Sequence, residues 1–148
     1  MISKMIRYDI VLYAGEQERF VEEYRKALRE LHGDDAQQSR HYVRMVNDDA
    51  FNRVASYLSD GNIRYGGIID ASNRYISPTL LDNVAIDSPV MQEEIFGPIL
   101  PMITFDNYED VILFINEREK PLALYYFGNN TTGNKILNRV SSGGACIN

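Results

Sequence analysis

Apolar and polar positions along the chain change period several times, and each change marks an element. Ile10 to Tyr13 form a short apolar run closed by Ala14-Gly15. Phe20, Val21, Tyr24, Ala27, Leu28 and Leu31 then recur every three to four residues, which predicts one face of a helix closing at Gly33. A polar, irregular stretch over 34–44 leads to Phe51, Val54, Ala55 and Leu58, the apolar face of a second helix ending at Gly61. Residues 63–65 and 75–81 read as strands, separated by Gly66-Gly67 and the turn-rich Asp70-Ala71-Ser72-Asn73.

The second half is more regular. Residues 99–105 are apolar but contain Pro101, which predicts an edge or strand-start position. Asp106 is placed to cap a helix with Glu109 as its third residue and Tyr108, Val111, Ile112 and Ile115 buried. Residues 122–127 are nearly all apolar, the pattern of a strand covered on both faces. Asn129-Asn130-Thr131 opens another helix, with Ile136, Leu137 and Val140 on its apolar side and Gly143-Gly144 closing it. Strand, helix, strand, helix, strand with short links predicts an α/β fold: a mostly parallel sheet with helices on both faces.

Length and composition narrow the class. A chain of 148 residues fits one domain with its own core, and 45% hydrophobic with 24% charged residues is ordinary globular composition. A net charge of −6 with no basic stripe argues against nucleic acid as a partner. A single cysteine excludes an intrachain disulfide and fits a reducing, cytoplasmic setting. Asp9, Glu16 and Glu18 interrupt the first twenty residues, so no signal peptide or membrane span is expected there.

Most catalytic signatures are missing. Gly66-Gly67 and Gly143-Gly144 are isolated pairs, better read as turns than as phosphate-binding loops. His32 and His41 have no partner at metal-ligand spacing and read as surface histidines. Cys146, in a terminal strand with no nearby histidine, reads as a small buried hydrophobe rather than a nucleophile. Ser141-Ser142 lacks the glycine setting of a hydrolase elbow.

One stretch resists that reading: Glu93-Glu94-Ile95-Phe96-Gly97-Pro98. An ionised carboxylate accepts two hydrogen bonds from the vicinal hydroxyls of a ribose, and an aromatic ring two residues on packs against a flat heterocycle. Gly97 would supply an unusual backbone geometry and Pro98 a stiff exit. The alternative is an exposed pair of glutamates followed by Ile95 and Phe96 entering the core.

The run 89–101, preceded by Arg74-Tyr75-Ile76-Ser77-Pro78-Thr79-Leu80-Leu81, resembles the NAD(P)-dependent aldehyde dehydrogenases. The stretches 114–125 and Ser141-Ser142-Gly143-Gly144 resemble the class 3 branch in particular. The match spans nearly the whole chain. It implies oxidation of an aldehyde to a carboxylic acid through a cysteine thiohemiacetal, with hydride transfer to NAD or NADP and hydrolysis of the thioester. It also implies that Glu94 is the carboxylate on the nicotinamide ribose and Phe96 the aromatic beside the nicotinamide.

The same resemblance sets expectations about what is missing. Aligning Asp9-Ile10-Val11-Leu12 with the family segment that follows the nucleophilic cysteine puts Met5 in the nucleophile's place, and a thioether cannot form a thiolate. The general-base glutamate, the oxyanion-hole asparagine, the cofactor-binding domain and the oligomerisation arm fall outside the chain. Residues 1–148 are therefore expected to be a single partial catalytic domain, with weak or no cofactor binding and little turnover alone. Such a domain would expose apolar surface and self-associate, so a homo-oligomer is expected. The competing reading is a non-catalytic α/β module that binds protein or a small ligand.

Overall fold

The computed structural model describes residues 11–13 and 15–148. Its centre is a four-stranded sheet in the order β1-β6-β5-β2, made of β1 (Val11–Tyr13), β2 (Asn62–Tyr65), β5 (Thr79–Asp82) and β6 (Ile99–Thr104). Strand β6 runs parallel to both β1 and β5, while β2 pairs antiparallel with β5. Successive side chains of a strand point to opposite faces, so the sheet carries two apolar layers. Leu81 and Ile99 belong to a cluster with α2 (Asp48–Ser56) and α4 (Tyr108–Asn116). Leu80 and Met102 belong to a second cluster with Val21 of α1 (Gln17–His32). Helices therefore cover both faces of this sheet, as the periodicity predicts.

Local chemistry explains the helix ends. Gly33 takes a φ of 80°, which side-chain-bearing residues adopt at a cost, and its N–H bonds the Arg29 carbonyl oxygen to close α1. The Asn47 side chain accepts from the Ala50 N–H at 2.8 Å and starts α2. For α4 the cap is Asn107 rather than Asp106: the Asn107 side chain accepts from the Asp110 N–H at 3.0 Å, so the helix starts one residue later than expected. The face of α1 is only partly covered, since Val21 is buried whereas Leu31 is exposed.

Three expectations are corrected. Pro101 lies in a central strand, not at an edge. Its register partner is Leu81 at the end of the β5 ladder, and the described β1 ladder begins at Met102. The missing N–H thus falls where one ladder ends and the other starts. The predicted strand over 75–81 is divided into β4 (Tyr75–Ile76), which forms a hairpin with β3 (Ile69–Asp70), and β5. Finally, β7 (Ala123–Tyr126) is not hydrogen-bonded to β6 among the described residues. It pairs in parallel only with β8 (Gly144–Ile147).

That β7–β8 ribbon is covered on one face, by α5 (Asn130–Leu137), whose Gly133 sits so close to Tyr126 and Ile147 that a Cβ there would meet them at 2.7 and 3.0 Å. The other face presents Tyr125 opposite Cys146, with Phe127 next along, all exposed. Cys146 is therefore not the buried hydrophobe its apolar neighbours imply.

Candidate functional site

The loop 93–98 joins α3 (Pro89–Gln92) to β6 and is fixed at both ends. Pro89 occupies the first turn of α3, where a missing N–H costs nothing, and the Glu93 N–H bonds the Pro89 carbonyl oxygen at 3.1 Å. The Val90 N–H donates to the Asp60 carboxylate at 2.9 Å, and Val90 and Met91 are buried. At the far end the Pro98 carbonyl oxygen accepts from the Thr79 N–H at 2.8 Å, tying the loop to the start of β5.

Between these anchors the chain makes an unusual turn. Ile95 is buried, whereas Phe96 is 69% exposed and adopts a φ of 43°. An aromatic residue in the left-handed region costs about 1–2 kcal/mol and persists only where its surroundings determine it. Gly97 is not the residue with positive φ, contrary to expectation. Glycine is required there for space: a Cβ would lie 2.6 Å from Cγ1 of Val54 on α2. The loop thus rests directly on that helix.

Arg53, the residue before Val54 on the same helix, supplies a further constraint. Its Nη1 donates to the Tyr57 hydroxyl at 2.6 Å and to the Glu94 carbonyl oxygen at 3.2 Å, and its Nη2 donates to the Ile95 carbonyl oxygen at 2.9 Å. The Tyr57 hydroxyl donates in turn to Glu93 Oε2 at 2.7 Å. The Arg53 guanidinium stands 3.9 Å from the same carboxylate. Burial, and then the hydrogen bond to Glu93, hold the Tyr57 hydroxyl above its ordinary pKa.

The two glutamates accordingly have different surroundings. Glu93 is bound through its side chain to Tyr57 and Arg53, and Glu94 is half-buried on the loop two positions before the exposed Phe96. Neither residue of the alternative reading behaves alike: Ile95 enters the core and Phe96 does not. Sequence reasoning singled out Glu94 and Phe96 but missed Arg53 and Tyr57. Their i, i+4 spacing, which puts both on one side of a helical turn, was the available signal.

Elsewhere the site candidates thin out. His41 is exposed as expected, but His32 is half-buried with its ring edge on Tyr42 at 5.0 Å and its Nδ1 without a hydrogen-bond partner. Met5 and the Asp9-Ile10 pair of the nucleophile alignment lie outside the described residues. Among the described residues no group of three or more His, Cys, Asp or Glu side chains is placed to hold a metal ion, and no helix is long and apolar enough to cross a membrane. A polar cleft lies at the far end of the sheet from the loop, lined by Gln17, Asn62, Arg64, Asp82, Asn83 and Thr104. Arg64 there is paired with Asp82 at 2.9 Å and with Glu18, joining β2, β5 and α1.

An α/β sheet covered on both faces, with a clamped carboxylate and aromatic loop entering its central strand, defines the class. The sequence profile of the aldehyde dehydrogenase family matches residues 9–148, and the chain belongs to that family. It is 47% identical over 133 residues to the dimeric NADP-preferring aldehyde dehydrogenase of Rattus norvegicus, a match covering 89% of this chain and 29% of the rat protein. It is 44% identical over 142 residues to aldehyde dehydrogenase family 3 member B1 of Homo sapiens, covering 95% of this chain and 30% of the human one. The fold superimposes on the substrate-bound AldH of Staphylococcus aureus with a TM-score of 0.88 at 42% identity, covering 95% of this chain and 31% of that one. The chain therefore spans less than a third of the length of these relatives.

Proposed function

We propose that this chain forms part of a catalytic domain that oxidises an aldehyde to a carboxylic acid, and that its share of the work is to hold the nicotinamide end of NAD or NADP. In this reading Glu94 accepts hydrogen bonds from the ribose hydroxyls and the Phe96 ring lies against the nicotinamide. The observation that carries it is the conformation of Phe96: a large apolar ring held out in solvent at a φ of 43° by a loop pinned on both sides. Exposed apolar side chains are ordinary on a surface, and what sets Phe96 apart is the combination of exposure with a backbone conformation that bulky residues adopt at a cost. A carboxylate followed two residues later by an outward aromatic suits a sugar joined to a flat heterocycle. When bound, NAD or NADP would supply the acceptor for the hydride leaving the substrate. The NADP preference of the rat relative favours such a dinucleotide.

Within this proposal residues 1–148 are a single partial catalytic domain, in which Met5 stands at the nucleophile's place in the family alignment. Two loop contacts are too few to bind a dinucleotide tightly, because association itself costs several kcal/mol. Weak binding and little turnover by the chain alone are expected. The proposal also includes self-association: Tyr125 and Phe127 line an uncovered face of the β7–β8 ribbon, and the rat relative is dimeric. The single cysteine, exposed and free of a disulfide, fits a reducing cytoplasm.

Calorimetric titration with NAD and NADP tests the assignment, with Glu94→Gln as the comparison. Weak binding that falls further in the variant is the expected result. Binding that is untouched by Glu94→Gln would show that the ribose is held elsewhere. Absorbance at 340 nm with benzaldehyde and either dinucleotide tests the rest, and robust NADH or NADPH production would overturn the partial-domain reading.

A further inference from the structure

We infer that Arg53 is the positioning residue of this loop: it fixes the backbone that presents Glu94 and Phe96, with Tyr57 and Glu93 completing the anchor. The inference rests on the proposed role of the loop as a cofactor contact, but its evidence is separate. One guanidinium donates to two consecutive carbonyl oxygens, those of Glu94 and Ile95, and these are the two peptide units immediately before the left-handed Phe96. A positive φ at a bulky residue relaxes unless the units flanking it are held. On the downstream side Gly97 is pressed against Val54 and Pro98 is tied to Thr79. On the upstream side Arg53 donates to the carbonyls of both Glu94 and Ile95.

The choice of arginine follows from the geometry. Its planar head carries several N–H donors in a fixed fork, so it serves the Tyr57 hydroxyl and both carbonyls at once. A lysine ammonium is a compact point charge without that fork. The Tyr57 hydroxyl then relays the anchor to the Glu93 carboxylate, so residues 93, 94 and 95 are all gripped from α2 and the turn that follows it. Arg53 touches the loop's backbone and not a reacting atom, so it acts through Glu94 and Phe96. Its removal is expected to blur their placement rather than to dismantle the fold.

Backbone order parameters from 15N relaxation on the whole chain provide the test, comparing Arg53→Met, Arg53→Lys and Tyr57→Phe with the parent. For residues 94–97 the expected parent value is about 0.85, falling below about 0.6 in Arg53→Met, with α2 and β6 unchanged. Lysine should restore part of the order, because it keeps the charge and loses the fork, and Tyr57→Phe should loosen Glu93 more than Ile95. Unchanged order at 94–97 in Arg53→Met would overturn the inference. So would a loss spread evenly through α2 and β6, which would make Arg53 a general packing residue. Should Arg53→Met not fold, parent-like order in both Arg53→Lys and Tyr57→Phe overturns it equally. No dinucleotide enters this measurement. A loosened loop combined with NAD affinity indifferent to Glu94→Gln would therefore refute the ribose assignment and leave the role of Arg53 standing.

Discussion

The Arg53 Nη2 and the Ile95 carbonyl oxygen lie 2.9 Å apart although 42 positions separate them in the chain. Helix α2 thereby helps dictate the path of a loop far from it in sequence. Hydrogen bonds from charged donors contribute about 1.5–3 kcal/mol each when their acceptors are shielded, and less where solvent reaches them. Arg53 is partly exposed, so Arg53→Met is expected to lower the unfolding free energy by about 2 kcal/mol. Urea titration would register this as a lower midpoint with an unchanged slope. A midpoint within error of the parent's would mean that solvent replaces those bonds without loss.

Phe96 offers a test in the opposite direction. Because its ring is exposed and its φ is 43°, removing the side chain gives up little burial and relieves the backbone. Phe96→Gly is expected to leave the melting temperature unchanged or raise it, whereas Phe96→Val, with a β-branched side chain at positive φ, should lower it by several degrees, about 1–2 kcal/mol. Equal melting temperatures for the two variants would argue that the left-handed turn carries no strain. If the proposed cofactor contact is right, Phe96→Gly should weaken dinucleotide binding even while stability holds.

Gly97 and Val54 should behave as a coupled pair. A methyl group at 97 meets Val54 Cγ1 at 2.6 Å, too close for either helix or loop to stay in place. Gly97→Ala is expected to cost about 1–3 kcal/mol, the range for overpacking a core contact. Adding Val54→Ala makes room, so the double variant should be more stable than the sum of the two single losses. Simple additivity in denaturant titrations would mean that the clash is relieved by a movement away from Val54.

Alkaline titration reads the aromatic cluster on the opposite face of the sheet. Tyr24 has its pKa pushed up to about 12, first by burial and then by the neighbouring Tyr65, whose ring meets it edge-on at 5.9 Å. Burial also raises Tyr42 and Tyr75. A phenol whose folded pKa exceeds the unfolded value of about 10 favours the folded state fully below pH 10, and that advantage is lost as pH rises toward 12. Stability should therefore decline from about pH 10 upward, with a shallower slope in Tyr24→Phe. Identical slopes in parent and variant, followed by circular dichroism, would remove Tyr24 as a contributor.

The uncovered face of the β7–β8 ribbon predicts association. Sedimentation velocity at micromolar concentration should find a dimer or larger species, and Phe127→Ser combined with Tyr125→Ser should shift it toward monomer. A strictly monomeric parent would show that this exposed apolar face does not drive association.

Much of this protein is written in local pattern. The helix over 17–32 and its stop at Gly33, the helix beginning near Phe51, and the apolar runs that became β6 and β7 follow from side-chain periodicity and backbone chemistry within a few residues. Those effects act over short distances and are visible in a linear string. The motif at Glu93 to Pro98 was likewise visible, and so was its resemblance to a family. Pairing partners were not. Pro101 tolerates a central strand only because its missing N–H falls between two ladders, and Cys146 is exposed only because β8 pairs with β7 and leaves that face bare. The same holds for the difference between Glu93 and Glu94, and for the need for glycine at 97. Both depend on Arg53, Val54 and Tyr57 arriving from a helix some forty residues earlier. Sequence by itself determined the longer helices and the main apolar strands, because torsional preference and amphipathic period are local. Only the tertiary structure decided which carboxylate anchors the loop and which aromatic stands out in solvent, because those outcomes are set by contacts between segments distant along the chain.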